Sequence, residues 1–261
     1  EPQSSGIGGG GFLIHYDPAS RRIESYDGRE TAPASAKPDM FLDAEGKPLE
    51  FYDAVVGGLS VGVPGTLRML ELAHREHGKL PWAQLFAPAI RLAEDGFPVS
   101  ARLSGEIAKD AYLPPMPEAA HYYLDAQGHA LPAGTRLKNP ALAAVLRAVA
   151  TGGPDAFYNG KVAADIVAAV TQAQPRSGGM TLADLANYRA TKRPVPCGTY
   201  RAYKVCGMGP PSSGGVAVLQ ILGMLAPFDM GKEAPLSLAA THRFAEASRL
   251  AFADRDRYLG D

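Results

Sequence analysis

A dense run of glycine near the start of the chain, Gly6-Ile7-Gly8-Gly9-Gly10-Gly11, restricts its folding more than any other stretch. So many glycines disfavour a helix or strand interior and mark a place where backbone turns or passes close to another group. Residues 12–16 and 22–26 then read as two short strands, and Asp17-Pro18 supplies turn chemistry between them, so the spacing predicts a hairpin. Asp27-Gly28 breaks the second strand and delivers Arg29 at its end, flanked by acids. A planar guanidinium in a glycine-rich corner is suited to gripping a carboxylate through two parallel hydrogen bonds. The same residues also fit a plain ion pair at a strand end, Arg29–Glu30 or Arg29–Asp27.

Beyond this corner, residues 34–52 read as a surface loop, and 53–63 as a buried strand or strand pair built on Val55, Val56, Leu59 and Val61. A helix is expected over 65–77, stopped by Gly78. Pro81 opens a second, with Trp82, Leu85, Phe86, Ala89 and Leu92 on one side, a kink at Pro88 and an end at Gly96. Residues 101–111 suit a shorter helix, and the prolines of Leu113-Pro114-Pro115-Met116-Pro117 exclude one there. Asn139-Pro140 reads as an N-cap and first helical residue, with Leu142, Val145, Leu146 and Val149 inward. Residues 161–171 are another apolar-faced helix, and Thr181 to Asp184 resembles a capping box. Two strands follow at 195–200 and 203–208. Ser212 or Ser213 is placed to cap the next helix, and a last helix runs over 236–258 with Ala240, Phe244, Ala247 and Ala251 at helical spacing. There is no internal repeat and no linker, so 1–261 reads as a single domain with helices layered on sheets, an α+β chain.

Formal net charge is −1, with no basic block and no acidic tail, which argues against nucleic acid or a charged membrane surface as partner. No apolar run is long enough for a membrane span, and the first residues do not resemble a signal peptide. The chain does not begin with Met and reads as starting mid-protein. Cys197 and Cys206 fall on consecutive short strands, where a disulfide and two reduced packing thiols are both compatible with the pattern.

Four rival sites are weaker. Gly58-Leu59-Ser60-Val61-Gly62 matches a nucleophile elbow, with Asp229 and His242 following in hydrolase order. An elbow needs a helix directly after the serine, whereas Val61-Gly62-Val63-Pro64 reads as extended, and His242 lies inside a helix. His74 and His77 share a helix face, but no third ligand is tied to them by spacing, so no metal is expected. The glycine run lacks the lysine and following helix of a phosphate loop. Ser212-Ser213-Gly214-Gly215 fits a cap with small residues for close packing better than an anion site.

Read together, five blocks resemble the γ-glutamyltranspeptidase family. They are Ser4-Ser5-Gly6-Ile7-Gly8-Gly9-Gly10-Gly11-Phe12, Asp27-Gly28-Arg29-Glu30-Thr31-Ala32-Pro33, Ser60-Val61-Gly62-Val63-Pro64-Gly65, Gly209-Pro210-Pro211-Ser212-Ser213-Gly214-Gly215 and Arg249-Leu250-Ala251-Phe252-Ala253-Asp254-Arg255. They lie in order from one end of the chain to the other.

The resemblance implies an N-terminal nucleophile hydrolase: a four-layer αββα sandwich, incomplete in this chain, made as one precursor that cuts itself into a large and a small subunit. In such enzymes the new N-terminal threonine of the small subunit attacks the γ-amide of glutathione or another γ-glutamyl compound. Its own α-amine serves as base, and the acyl group passes to water or an amino acid. This chain resembles most of the large subunit, lacking the family's first helical segment. The resemblance therefore implies a heterodimer with the small subunit, no cofactor, and no catalytic residue within these 261 residues, which alone are expected to be inactive. It assigns Arg29 to the α-carboxylate of the γ-glutamyl group. It implies a periplasmic or secreted location, and it leaves a non-catalytic pseudo-subunit that binds an amino-acid carboxylate as the alternative. Relatives that are β-lactam side-chain acylases or act on poly-γ-glutamate leave the acyl preference open.

Overall fold

A computed structural model describes Pro2 and residues 5–260. Ser4 of the first motif block, Glu1 and Asp261 lie outside the described residues. The chain is mixed helix and sheet and divides into two compact units, Glu1–Gly9 with Glu30–Tyr188, and Gly10–Arg29 with Arg189–Asp261.

The second unit begins with the predicted hairpin. β1 (Phe12–Asp17) and β2 (Arg22–Asp27) pair antiparallel, with Phe12 opposite Asp27 and Asp17 opposite Arg22. Asp17 also closes the turn, its carboxylate accepting the Ala19 N–H at 2.9 Å and the Ser20 hydroxyl at 2.5 Å.

The first unit is mostly helical. In the segment expected as a strand, Phe51–Val55 forms a short helix, α1, followed by irregular backbone in which Val63 alone bridges to Thr31. The reason lies at Gly58: a Cβ there would sit 2.0 Å from the Val170 carbonyl oxygen and 2.7 Å from the Gly178 nitrogen. Its N–H is donated to the Arg176 carbonyl at 2.6 Å, so this stretch is spent on the 170–178 backbone and not on a ladder.

α2 (Thr66–His77) buries Leu67, Met69 and Ala73, and the Gly78 N–H closes it on the His74 carbonyl. The proline-opened helix splits in two: a 3₁₀ segment, Trp82–Phe86, precedes α3 (Ala87–Asp95). Pro88 does not kink a long helix. It lies in the first turn of α3, where its missing N–H costs nothing. Phe86 and Ala93 are buried, but Leu85 and Leu92 stand about half exposed, against the expected apolar face.

β3 (Phe97–Pro98), α4 (Ala101–Ile107), α5 (Pro117–Tyr123) and β4 (Arg136–Leu137) surround a small apolar cluster of Val99, Leu103, Ile107 and Leu137. α5 starts at the last proline of the run that excludes helix before it. α6 (Pro140–Gly152) has the predicted Asn139 cap, its side chain accepting the Leu142 N–H at 2.9 Å; Leu146 and Val149 point inward and Leu142 outward. α7 (Asp155–Tyr158), α8 (Gly160–Thr171) and α9 (Leu182–Asn187) follow, the last with the predicted reciprocal capping box of Thr181 and Asp184. Two loops of this unit share one turn. Asp43 accepts the N–H groups of Glu45 and Lys47, and Asp125 those of Gln127 and His129, so Asp-Ala-x-Gly recurs although no longer repeat exists.

Returning to the second unit, β5 (Thr191–Arg193) adds to β2, giving the sheet order β1-β2-β5. Sequence pattern misses this strand because Thr-Lys-Arg shows no apolar alternation. β6 (Cys197–Tyr200) and β7 (Tyr203–Cys206) form a second hairpin, and a Cys197–Cys206 disulfide links a directly opposed pair. α10 (Gly214–Leu225) begins against the end of β7: a Cβ on Gly215 would lie 2.3 Å from the Met208 carbonyl oxygen, so only glycine fits. Ser213 stands at the N-terminal end of α10 but makes no side-chain cap; its hydroxyl instead accepts the Arg255 Nε–H at 3.0 Å. α11 (Leu238–Tyr258) is capped by Ser237 and packs on α10, which lies against β6 and β7.

Candidate functional site

The corner at the end of β2 is held by three layers of bonding. Asp27 is Cα-paired with Phe12 on one side and Thr191 on the other, so its backbone is fixed from both neighbours. Gly28 and Gly11 exchange backbone hydrogen bonds, 3.0 Å from the Gly28 N–H and 3.2 Å from the Gly11 N–H. The Arg29 N–H is then donated to Asp27 Oδ1 at 2.8 Å, the turn typical of an aspartate reaching its own backbone two residues on. Arg29 itself is exposed. The structure thus gives the Asp27 carboxylate two defined partners, the backbone of Arg29 and the guanidinium of Arg193, whose Nε donates to Oδ2 at 2.5 Å. Asp27 and Ser25 are buried, and the Ser25 hydroxyl donates to the Arg193 carbonyl at 2.8 Å, a further bond to β5. Sequence reasoning passes over Arg193 because Lys192-Arg193-Pro194 resembles a basic loop; the long-range pairing carries no local signal.

In the first unit, three motif blocks far apart in sequence meet. The Gly9 carbonyl accepts the N–H groups of Gly65 and Thr66 and the Thr66 hydroxyl, at 3.0, 3.1 and 2.9 Å. Thr31 and Val63 exchange backbone bonds, and a Cβ on Gly62 would press on the Glu30 side chain at 2.8 Å. Gly9, Glu30-Thr31 and the segment from Gly62 to Thr66 therefore form one closely bonded backbone cluster. Tyr158 holds it from beneath, its hydroxyl donating to the Pro64 carbonyl at 2.8 Å. Burial pushes the Tyr158 phenol well above its ordinary range, so the group stays a proton donor near neutral pH. The Arg68 guanidinium lies 4.6 Å over its ring and also pairs with Asp155 at 2.6 Å.

Asp184 ties the segment after the arginine block. Partial burial acts to raise its carboxyl, but hydrogen bonds from the Ala34 N–H and from Thr181 outweigh this and hold it below the usual carboxylate range. In the second unit the last two blocks meet where Arg255 reaches Ser213, beside a cavity of about 450 Å³ that is also lined by Pro210, Pro211 and Asp256.

The rival sites fare as follows. Ser60 donates its hydroxyl to the Val55 carbonyl at 2.8 Å, and the next helix starts only at Thr66, so no strand–serine–helix elbow forms. Asp229 pairs with Lys232 at 3.2 Å, and His242 sits inside α11. His74 is committed to the Leu80 carbonyl at 2.8 Å and to the edge of Trp82, which makes it a structural histidine at the end of its helix.

The family model of the gamma-glutamyltranspeptidases matches residues 1–261. The chain is 39% identical over 272 residues to the glutathione hydrolase proenzyme of Bacillus subtilis strain 168, with all of this chain and 44% of that protein covered. It is 40% identical over 268 residues to the acylase ACY 1 proenzyme of a Pseudomonas strain, covering 98% of this chain and 46% of that one. Among solved structures, Helicobacter pylori gamma-glutamyltranspeptidase superposes with a TM-score of 0.93 at 33% identity, over 100% of this chain and 73% of that chain. The chain thus spans a little under half the length of these two curated relatives.

Proposed function

Because the chain belongs to the γ-glutamyltranspeptidase family, we propose that it is most of the large subunit of a γ-glutamyltransferase or glutathione hydrolase, with Arg29 as the grip on the donor's α-carboxylate. The observation that carries this is the Arg29 corner. An exposed arginine side chain projects from backbone fixed by a sheet ladder, a glycine pair and a buried carboxylate. A guanidinium can donate to both oxygens of a carboxylate in one plane, which fixes the γ-carbonyl toward a nucleophile. In this reading the nucleophile comes from the part of the relatives' length that this chain does not span. In the proposed reaction its threonine hydroxyl adds to the γ-carbonyl while the threonine's own α-amine takes the proton. The proton then goes to the leaving amine as the amide C–N bond breaks, and water or an amino acid accepts the acyl group. These residues alone are then inactive, and the complete pair of subunits forms the four-layer αββα sandwich.

Two features support the wider assignment. Large apolar side chains of α11 stay exposed, Phe244 at 56%, Phe252 at 52% and Tyr258 at 70%, as suits a helix that the small subunit covers. The Cys197–Cys206 disulfide suits an oxidising compartment, in keeping with a periplasmic or secreted enzyme. The test uses the full-length protein and γ-glutamyl p-nitroanilide. Intact mass should reveal two chains, the smaller beginning with threonine. Arg29→Lys should raise KM about 10- to 100-fold with kcat changed far less, because a point charge loses the bidentate geometry. A single unprocessed chain, or a KM unmoved by that substitution, overturns the assignment.

A further inference from the structure

Asp27 is a costly residue to bury, and its surroundings indicate a purpose. Its side chain is 6% exposed, and an ionised carboxylate in such a place needs partners on both oxygens. Each oxygen has one, and the two partners differ in kind. Oδ1 takes the backbone N–H of Arg29, and Oδ2 takes the guanidinium of Arg193, 166 residues further along the chain. Arg193 in turn is anchored as a β5 residue opposite Ser25. The Arg29 backbone is therefore tied, through a single carboxylate, to a strand from the far end of the sequence.

From this geometry we propose that Asp27 is a positioning residue for substrate binding, with Arg193 as its counter-charge, and that the pair fixes where the Arg29 guanidinium meets the donor's α-carboxylate. The inference rests on the proposed role of Arg29. A bidentate grip depends on the plane and origin of the guanidinium, and misplacement by about 1 Å costs most of its benefit. The Gly28 and Arg29 N–H groups both have fixed partners, so the side chain swings from a fixed root. Without the carboxylate, the Arg29 N–H loses its partner and the turn relaxes. Without Arg193, the Asp27 charge is left poorly compensated beside the arginine meant for substrate.

Asp27→Asn tests this in the complete, processed enzyme. An amide preserves size but must point an NH₂ at either the Arg29 N–H or the Arg193 Nε–H, so one of the two bonds is lost. Two donors separate positioning from general damage: γ-glutamyl p-nitroanilide, and 4-aminobutyryl p-nitroanilide, which lacks the α-carboxylate. The expected result is a KM about tenfold higher for the first donor with kcat within about twofold. For the second donor kcat/KM should fall by less than about twofold, and Arg29→Lys with Asp27→Asn should be no worse than the worse single variant. Equal losses on both donors, or a loss confined to kcat, overturn the inference. If Arg29→Lys raises KM but Asp27→Asn does not, the inference fails while the Arg29 assignment stands; if Arg29→Lys is silent, the Arg29 assignment fails first. Should Asp27→Asn not be processed, Arg193→Gln is read by the same two donors and the same outcomes.

Discussion

The two units hold themselves together by different means. The first is a helical body whose interior is apolar: Leu67, Val149 and Leu185 are almost wholly buried, as is Tyr158, and Gly58 and Gly178 close on each other and on Val170 with no space to spare. The second relies on directed links. A buried carboxylate bridges two strands, a disulfide closes a hairpin, and its longest helix, 21 residues in α11, buries only Ala247 and Ala251. The comparison teaches where each kind of force is useful. Close packing fixes a framework in which nothing has to move, whereas paired charges and covalent links can hold an exposed arginine in place without burying it.

The contrast can be broken most severely at Gly58. Gly58→Ala puts a methyl group against the Val170 carbonyl and the Gly178 nitrogen, both backbone atoms that cannot swing aside. The expected cost is about 3 kcal/mol, read as a lowered thermal midpoint and as faster hydrogen exchange over α8 and the 170–178 segment. A midpoint unchanged within error would mean that the first unit is less tightly packed than its backbone contacts indicate.

A smaller effect should follow from breaking the covalent link in the second unit. Replacing both Cys197 and Cys206 by serine opens a loop with a sequence separation of 9, for which chain-entropy reasoning gives about 2–3 kcal/mol. The loss should appear as weakened exchange protection across β6, β7 and the start of α10, with α2 and α6 unaffected. Equal loss of protection in those two helices would show that the units do not respond separately.

The smallest expected effect concerns charge in the first unit. The Asp184 carboxyl is held below the usual range, so its ionised form stabilises the fold above that range, and the contribution is lost as pH falls through the lowered value. Asp184→Asn should cost about 0.5 kcal/mol at neutral pH, modest because the side chain is largely solvated, and the difference from the parent should shrink below about pH 4. Urea midpoints across pH 3–7 provide the check. A constant difference would assign the effect to cap geometry and not to charge.

The sequence by itself determined whatever depends on neighbours along the chain. The β1–β2 hairpin, the caps at Asn139 and Thr181, the end of α2 at Gly78 and the strand pair carrying the cysteines all follow from residues a few positions apart. The family blocks mark Arg29 as the proposed carboxylate grip, while its strand-end chemistry alone also fits a plain ion pair. Tertiary structure decided the remainder. Gly57-Gly58 fits a buried strand by pattern but meets the 170–178 backbone, Ser213 fits a cap but meets Arg255, and β5 has no pattern at all. Above all, it placed Arg193 on the Asp27 carboxylate. The reason is common to all four: periodicity and capping are encoded over one or two turns of chain. A contact between residues as far apart as Ser213 and Arg255, or Asp27 and Arg193, has no local propensity to announce it, and exists only once the chain has packed.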